Sequence, residues 1–138
     1  FDYRARMSVA WDYEGCTYYM KPFREIFAES KWNTYWILKY QNWQTQTSEP
    51  APPKSSINER AIRYADVILL LAEAHLFGSK QLEKAVAYLN QIRQRANLND
   101  YSGAMNETEI FADLEHQRAL EFFVEGERFY DLRRWGLL

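Results

Sequence analysis

The sequence predicts a mainly α-helical fold carrying a small region of irregular chain and short strands at its N-terminal end. Three observations predict it. From position 58 onward apolar residues recur at helical spacing. More than half of the aromatic residues (Trp 5, Tyr 10, Phe 8) fall in the first 44 positions. Between the two lies a polar, proline-bearing stretch with no periodicity. The reading is therefore 1–44 as an aromatic-rich loop and short-strand region, 45–57 as a linker, and 58–138 as a helical region, all one part of a larger domain.

In the first region Ala5, Met7, Val9 and Trp11 alternate with Arg4, Arg6 and Ser8, the period of a half-buried strand. Trp36 to Tyr40 reads as a second short strand. The long connection from Asp12 to Asn33 carries Tyr13, Tyr18, Tyr19, Phe23, Phe27 and Trp32, with one helical turn expected after Pro22. A loop of that length is functional or disordered, and its aromatic content argues against disorder. Thr45 to Ser56 holds three of the four prolines and reads as an exposed connector.

The first long helix is expected from about Asn58 to Phe77, ending at Gly78 as a left-handed C-terminal residue. Ile62, Ala65, Leu69, Ala72 and Leu76 form one apolar stripe, Ile68 and Leu71 widen it, and such a helix is buried on several faces. The second, about Gln81 to Ala96, turns Leu82, Ala85, Val86, Leu89, Ile92 and Ala96 inward. Arg93 and Arg95 suit its negative C-terminal end. The pair is patterned like one tetratricopeptide-type repeat, which cannot bury its own faces alone. A third helix is expected from an N-cap at Thr108 towards Asp131, with Gly126 as a weak position inside it.

On that third helix Arg118, Glu121, Glu125 and Arg128 are spaced three, four and three apart, with Leu120, Phe122, Phe123, Val124 and Phe129 crowding both sides. The expectation is a partly buried ion-pair network meshing with Arg63, Asp66 and Glu73 of the first helix and extended by Asp131 and Arg134.

These residues carry a resemblance. Arg63-Tyr64-Ala65-Asp66 followed by Leu69-Leu70-Leu71-Ala72-Glu73-Ala74, then Ala85 with Leu89-Asn90-Gln91-Ile92-Arg93 and Arg95-Ala96, then Gln117 to Phe122, Glu125-Gly126, Arg128 and Asp131-Leu132-Arg133-Arg134-Trp135-Gly136 resemble three blocks of the SusD/RagB family in the right order. Asp2, Arg4, Thr34-Tyr35-Trp36 and Lys39-Tyr40 match upstream stretches more weakly. Gln117 stands where the family has Glu, and Phe122 where it has Leu.

The resemblance implies the C-terminal portion of a helical, tetratricopeptide-containing lipoprotein on the outer face of the bacterial outer membrane, attached through an upstream lipid anchor. It also implies capture of oligosaccharides, or of peptides in some relatives, for a SusC-like TonB-dependent transporter, without cofactor or catalysis.

Other classes find little support. A net charge of −2 with a pI near 5.7 gives no footprint for nucleic acid or an anionic membrane. No stretch reaches the roughly 18 apolar residues of a membrane span. Cys16 is alone and without catalytic company, no Cys/His spacing suits a metal, and His75 and His116 are isolated. Glu121 and Glu125 as glycosidase carboxylates would need about 5 to 9.5 Å between groups flanking a cleft, which adjacent turns hemmed in by arginines do not offer.

Sugars are held in water by stacking on aromatic rings with polar groups at the rim. Trp11, Tyr13, Tyr18, Tyr19, Trp32, Tyr35, Trp36 and Trp43 are the available rings, with Asn33, Asn42 and Gln44 as amide partners. Loop-borne Tyr18, Tyr19 and Trp32, then Trp11, are the preferred carbohydrate-binding candidates. The competing readings are a helical-repeat scaffold for another protein and a peptide-capture subunit, since tyrosine and tryptophan serve all of these.

Overall fold

The computed structural model describes residues 1–48 and 57–138, so most of the expected connector lies outside the described residues. The rest is mainly helical and divides into two compact units, Phe1–Arg4 with Ala61–Leu138, and Ala5–Arg60.

The chain opens with a short helix where the alternation predicts a strand. α1 spans Tyr3–Ser8, and only Val9–Ala10 (β1) is extended. The cause lies at Asp2, whose carboxylate accepts the Arg4 backbone N–H at 2.9 Å and so caps the first turn. Met7 stands exposed, so the alternation does not mark a buried face.

Ala5–Arg60 is organised by two minimal antiparallel pairings. β1 pairs with β4 (Trp36–Ile37), Ala10 opposite Trp36 and Val9 opposite Ile37. β2 (Thr17–Tyr18) and β3 (Lys21–Pro22) form a hairpin whose two turn residues, Tyr19 and Met20, both have positive φ, +48° and +61°. Such two-residue turns favour Asn-Gly, so a tyrosine and a methionine there carry local strain. Directly after the hairpin comes the expected helical turn, α2 (Phe23–Ile26). The core of this unit is largely aromatic: Tyr18, Tyr19 and Phe23 are buried with Ala10, Cys16 and Leu38, and Tyr13, Phe27, Trp32, Trp36 and Trp43 pack against them.

In the helical unit α3 covers Tyr64–Glu73 and runs on into a π-helical turn, Ala74–Gly78. It starts about six residues later than its apolar pattern predicts, because Arg63 is extended (φ −118°, ψ 154°). Ile62 lies before the helix and is 76% exposed, so helical spacing does not carry it inward as predicted. Gly78 is not left-handed; Lys80, at φ +55°, makes that turn.

α4 (Leu82–Arg95) packs on α3 and the π-helical turn, its Ala85 and Leu89 sharing a core with Ala72, Leu76, Ile110 and Leu114. Small residues at these contacts let the helices approach closely. The opposite flank of α3 presents Tyr64, Val67, Leu70 and Leu71 to solvent, so among the described residues this helix is buried on one side only.

The single third helix is in fact two. α5 covers Glu107–Glu121, capped by Asn106, whose side chain accepts the Glu109 N–H at 2.9 Å. Helical backbone stops at Phe122, Val124 and Gly126 take positive φ (+58° and +87°), and α6 resumes over Glu127–Arg134. The periodicity of Phe122, Phe123 and Val124 disguises this break.

Candidate functional site

Each unit gathers one group of polar or aromatic side chains. In the helical unit it is a cluster of ion pairs, and in Ala5–Arg60 it is a cavity edged by rings and charges.

Because α5 ends at Glu121, the charges spaced along the sequence do not pair along one helix face; they pair between elements. Arg63 forks onto two carboxylates, donating to Glu121 at 2.8 Å and to Glu125 at 2.7 and 3.0 Å. Arg118, only 2% exposed, donates through Nε to Asp131 at 2.7 Å and through Nη1 to Asp66 at 2.8 Å. Arg134 bonds Asp131 and, through both terminal nitrogens, Glu73, which also accepts the Trp135 indole N–H at 3.0 Å. The Phe122 ring lies under both Arg63 and Arg118, 4.9 Å from each guanidinium carbon. Arg128 pairs with Glu115 at the half-exposed margin.

Several members escaped the sequence reading. Glu121 also receives Arg95, assigned from sequence only to a helix end, and lies 3.7 Å from Arg4. Arg4 in turn bonds Asp2 and the side chain of Gln117 at 2.7 Å. Gln117 is buried, and its amide accepts from Arg4 and donates to Asp113, a donor direction that an ionised carboxylate at this position would lack. Burial opposes the charge on Glu121, but hydrogen bonds from Arg63 and Arg95 outweigh it and hold its carboxyl below the ordinary value. With both Glu121 and Glu125 taken up by Arg63, the pair presents no two carboxylates free to flank a substrate.

In Ala5–Arg60 the preferred rings divide sharply. Tyr18 and Tyr19 are 7% and 4% exposed and belong to the core; they meet edge to face at 4.8 Å, and the Tyr18 hydroxyl donates to Gln41 at 2.6 Å. Neither offers a ring face to a ligand, a correction to their choice as loop platforms. Their burial follows from composition: with few aliphatic side chains available, the loop aromatics have to make the core.

Trp11 and Trp32 are half-buried, while Tyr35 is 76% exposed. Trp11 lies 4.4 Å from Tyr13, and Trp32 donates its indole N–H to the Phe27 carbonyl at 3.0 Å. Trp36 stacks on Phe27 at 4.5 Å, and Asn42 is buried.

Beside these rings a cavity of about 580 Å³ is lined by Asp12, Tyr13, Glu14, Pro22, Phe23 and Arg24 among others. Arg24 donates from Nε and Nη2 to the two oxygens of Asp12, both at 2.8 Å, and its guanidinium lies 4.5 Å over the Trp32 ring. The Arg24 guanidinium holds the Asp12 carboxyl below the usual range. Burial pushes the Cys16 thiol up, towards its unreactive protonated form, and burial likewise raises the Tyr13 phenol.

Among the described residues no group of three or more His, Cys, Asp or Glu side chains is arranged to hold a metal, and no helix is long and apolar enough to cross a membrane. His75 stacks on Tyr88 at 5.6 Å, and His116 is exposed.

The model of the SusD family matches residues 4–137. A SusD-like protein of Formosa agariphila is 31% identical over 99% of this chain and 28% of its own length. A crystal structure of a SusD superfamily protein from Bacteroides vulgatus is similar over the whole chain, with 73% identity and a TM-score of 0.93, and this chain covers 30% of it. A SusD-like protein from Bacteroides fragilis gives 31% identity and a TM-score of 0.66 over 75% of this chain and 20% of its own. The chain thus spans less than a third of the length of each of these relatives.

Proposed function

The chain belongs to the SusD family, and on that premise we propose that it contributes to binding glycan nutrients at the outer-membrane surface and to their delivery to a SusC-like TonB-dependent transporter. Family membership implies glycan binding for uptake. In this reading the protein is a binding subunit without catalytic residues, cofactor or metal, held at the cell surface by a lipid anchor upstream of these residues.

The observation that supports the reading best is the family match across residues 4–137 together with rings left open to solvent on Ala5–Arg60. Trp11 and Trp32 are half-exposed beside a cavity-bearing loop, and Tyr35 projects freely. Rings held this way give a pyranose an apolar face to stack on at low entropic cost. The ion-pair cluster is read as structural support rather than as a ligand site.

Peptide capture or a protein-binding scaffold is the second reading, favoured by the solvent-facing apolar flank of α3. Native affinity electrophoresis of the full-length protein through gels loaded with plant, host and microbial polysaccharides separates the two. Glycan capture predicts retardation in at least one gel, reduced by Trp32→Ala or Trp11→Ala with folding intact. No retardation in any gel overturns it in favour of the second reading.

A further inference from the structure

We propose that the cavity between the Asp12–Thr17 turn and the start of α2 is a subsite for one uncharged sugar residue, gripped by the Asp12–Arg24 fork. This rests on the glycan-capture reading and narrows it, since nothing in family membership assigns this cavity or a class of sugar.

The cavity volume of about 580 Å³ lies within the range of about 300–1,000 Å³ typical of small-molecule pockets. Its wall is mostly apolar, with Tyr13, Pro22 and Phe23 opposite a short polar edge, which suits a pyranose with its apolar face and hydroxyl rim.

The polar edge is built and held. Arg24 is clamped from two directions, by Asp12 at 2.8 Å on each oxygen and by the Trp32 ring at 4.5 Å, yet its side chain is 62% exposed. An arginine has five N–H donors. Two serve Asp12, so both hydrogens of Nη1 and the second of Nη2 stay open towards solvent. Each Asp12 oxygen accepts one bond from Arg24 and keeps a lone pair. A fixed guanidinium donor beside a fixed carboxylate acceptor matches a pair of neighbouring hydroxyls, one accepting and one donating.

The same geometry selects against acidic sugars. Arg24 is already neutralised by Asp12, and Glu14 adds a second carboxylate to the lining, so two negative charges face one positive. A uronate or sulfated sugar would meet two carboxylates for one already paired guanidinium among the described lining residues, Arg6 standing outside the lining with its guanidinium 4.8 Å over the Tyr13 ring.

The test uses full-length protein and its Arg24→Gln, Asp12→Asn and Glu14→Gln variants, each checked for an unchanged thermal midpoint. Binding is measured by affinity electrophoresis and titration calorimetry against amylopectin, laminarin, xylan, galactomannan, polygalacturonate and a sulfated galactan. The expected result is binding to an uncharged polymer, none to the acidic ones, and affinity reduced about ten-fold or more by Arg24→Gln and Asp12→Asn, in line with loss of a hydrogen bond to a charged group. Glu14→Gln should leave uncharged-polymer binding intact. Uncharged-polymer binding that neither Arg24→Gln nor Asp12→Asn weakens overturns the subsite while leaving glycan capture standing, and preferred binding of an acidic polymer overturns the selectivity. Failure of the wild type on every polymer overturns glycan capture and the subsite together.

Discussion

Replacing Arg118 by Ala is the sharpest probe of what holds the helical unit. The side chain is 2% exposed, and its two charge-assisted hydrogen bonds run to Asp131 at 2.7 Å and Asp66 at 2.8 Å. Two hydrogen bonds to charged groups are worth about 1.5–3 kcal/mol each, which sets an upper range near 3–6 kcal/mol. Two features lower it. Asp131 keeps Arg134 at 2.9 Å, and Asp66, 19% exposed, reaches water once its partner is gone. A loss of about 3 kcal/mol remains, at the lower end of the roughly 3–5 kcal/mol for breaking a buried pair.

The control is Arg128→Ala. Its bond to Glu115 joins side chains 41% and 29% exposed, so its loss is expected to stay below about 1 kcal/mol. Urea unfolding followed by circular dichroism measures both. With slopes of about 1–3 kcal/mol per molar urea, Arg118→Ala should lower the midpoint by at least about 1 M. Equal losses for the two variants would refute the claim that burial decides which pairs matter.

Two further predictions rest on the same unit. The Glu121 carboxyl is held below its unfolded value of about 4.3, so the native state binds fewer protons there; its stabilisation is complete above that value and is lost as pH falls through the native value. Thermal midpoints of the wild type and Glu121→Gln should therefore differ at pH 7 and draw together as pH falls below the unfolded value, and a constant gap would exclude the ionic contribution. Gly126 sits at φ +87° with open space around a prospective Cβ, so Gly126→Ala should cost about 1–2 kcal/mol from backbone strain alone. Gly78→Ala, equally uncrowded but without positive φ, should be neutral or mildly stabilising by the same denaturation assay.

The helical core was legible because its determinants are local. Ala85, Leu89 and Ile92 repeat at helical spacing and are buried, and the family blocks sit on the elements that make the fold. The break at Phe122–Gly126 was not, because a run of apolar residues continues the period while the backbone leaves it. Asp2 was a readable cap for α1, overridden by an alternation in which Arg4 is placed by the distant partners Gln117 and Glu121.

The cavity was illegible for the same reason. Asp12 and Arg24 meet only because the hairpin between them reverses the chain, and the rings that looked most available, Tyr18 and Tyr19, were consumed in building that hairpin's support.

The helical unit takes its residues from both sides of Ala5–Arg60, since Phe1–Arg4 belong with Ala61–Leu138. In chain terms the aromatic unit is an excursion spliced between the two stretches of sequence that make the helical unit. Doubling such an excursion costs only about 0.6 kcal/mol in closure entropy. Length changes within 5–60 therefore cost the helical unit little as long as Arg4, Arg63 and Arg95 still reach Glu121.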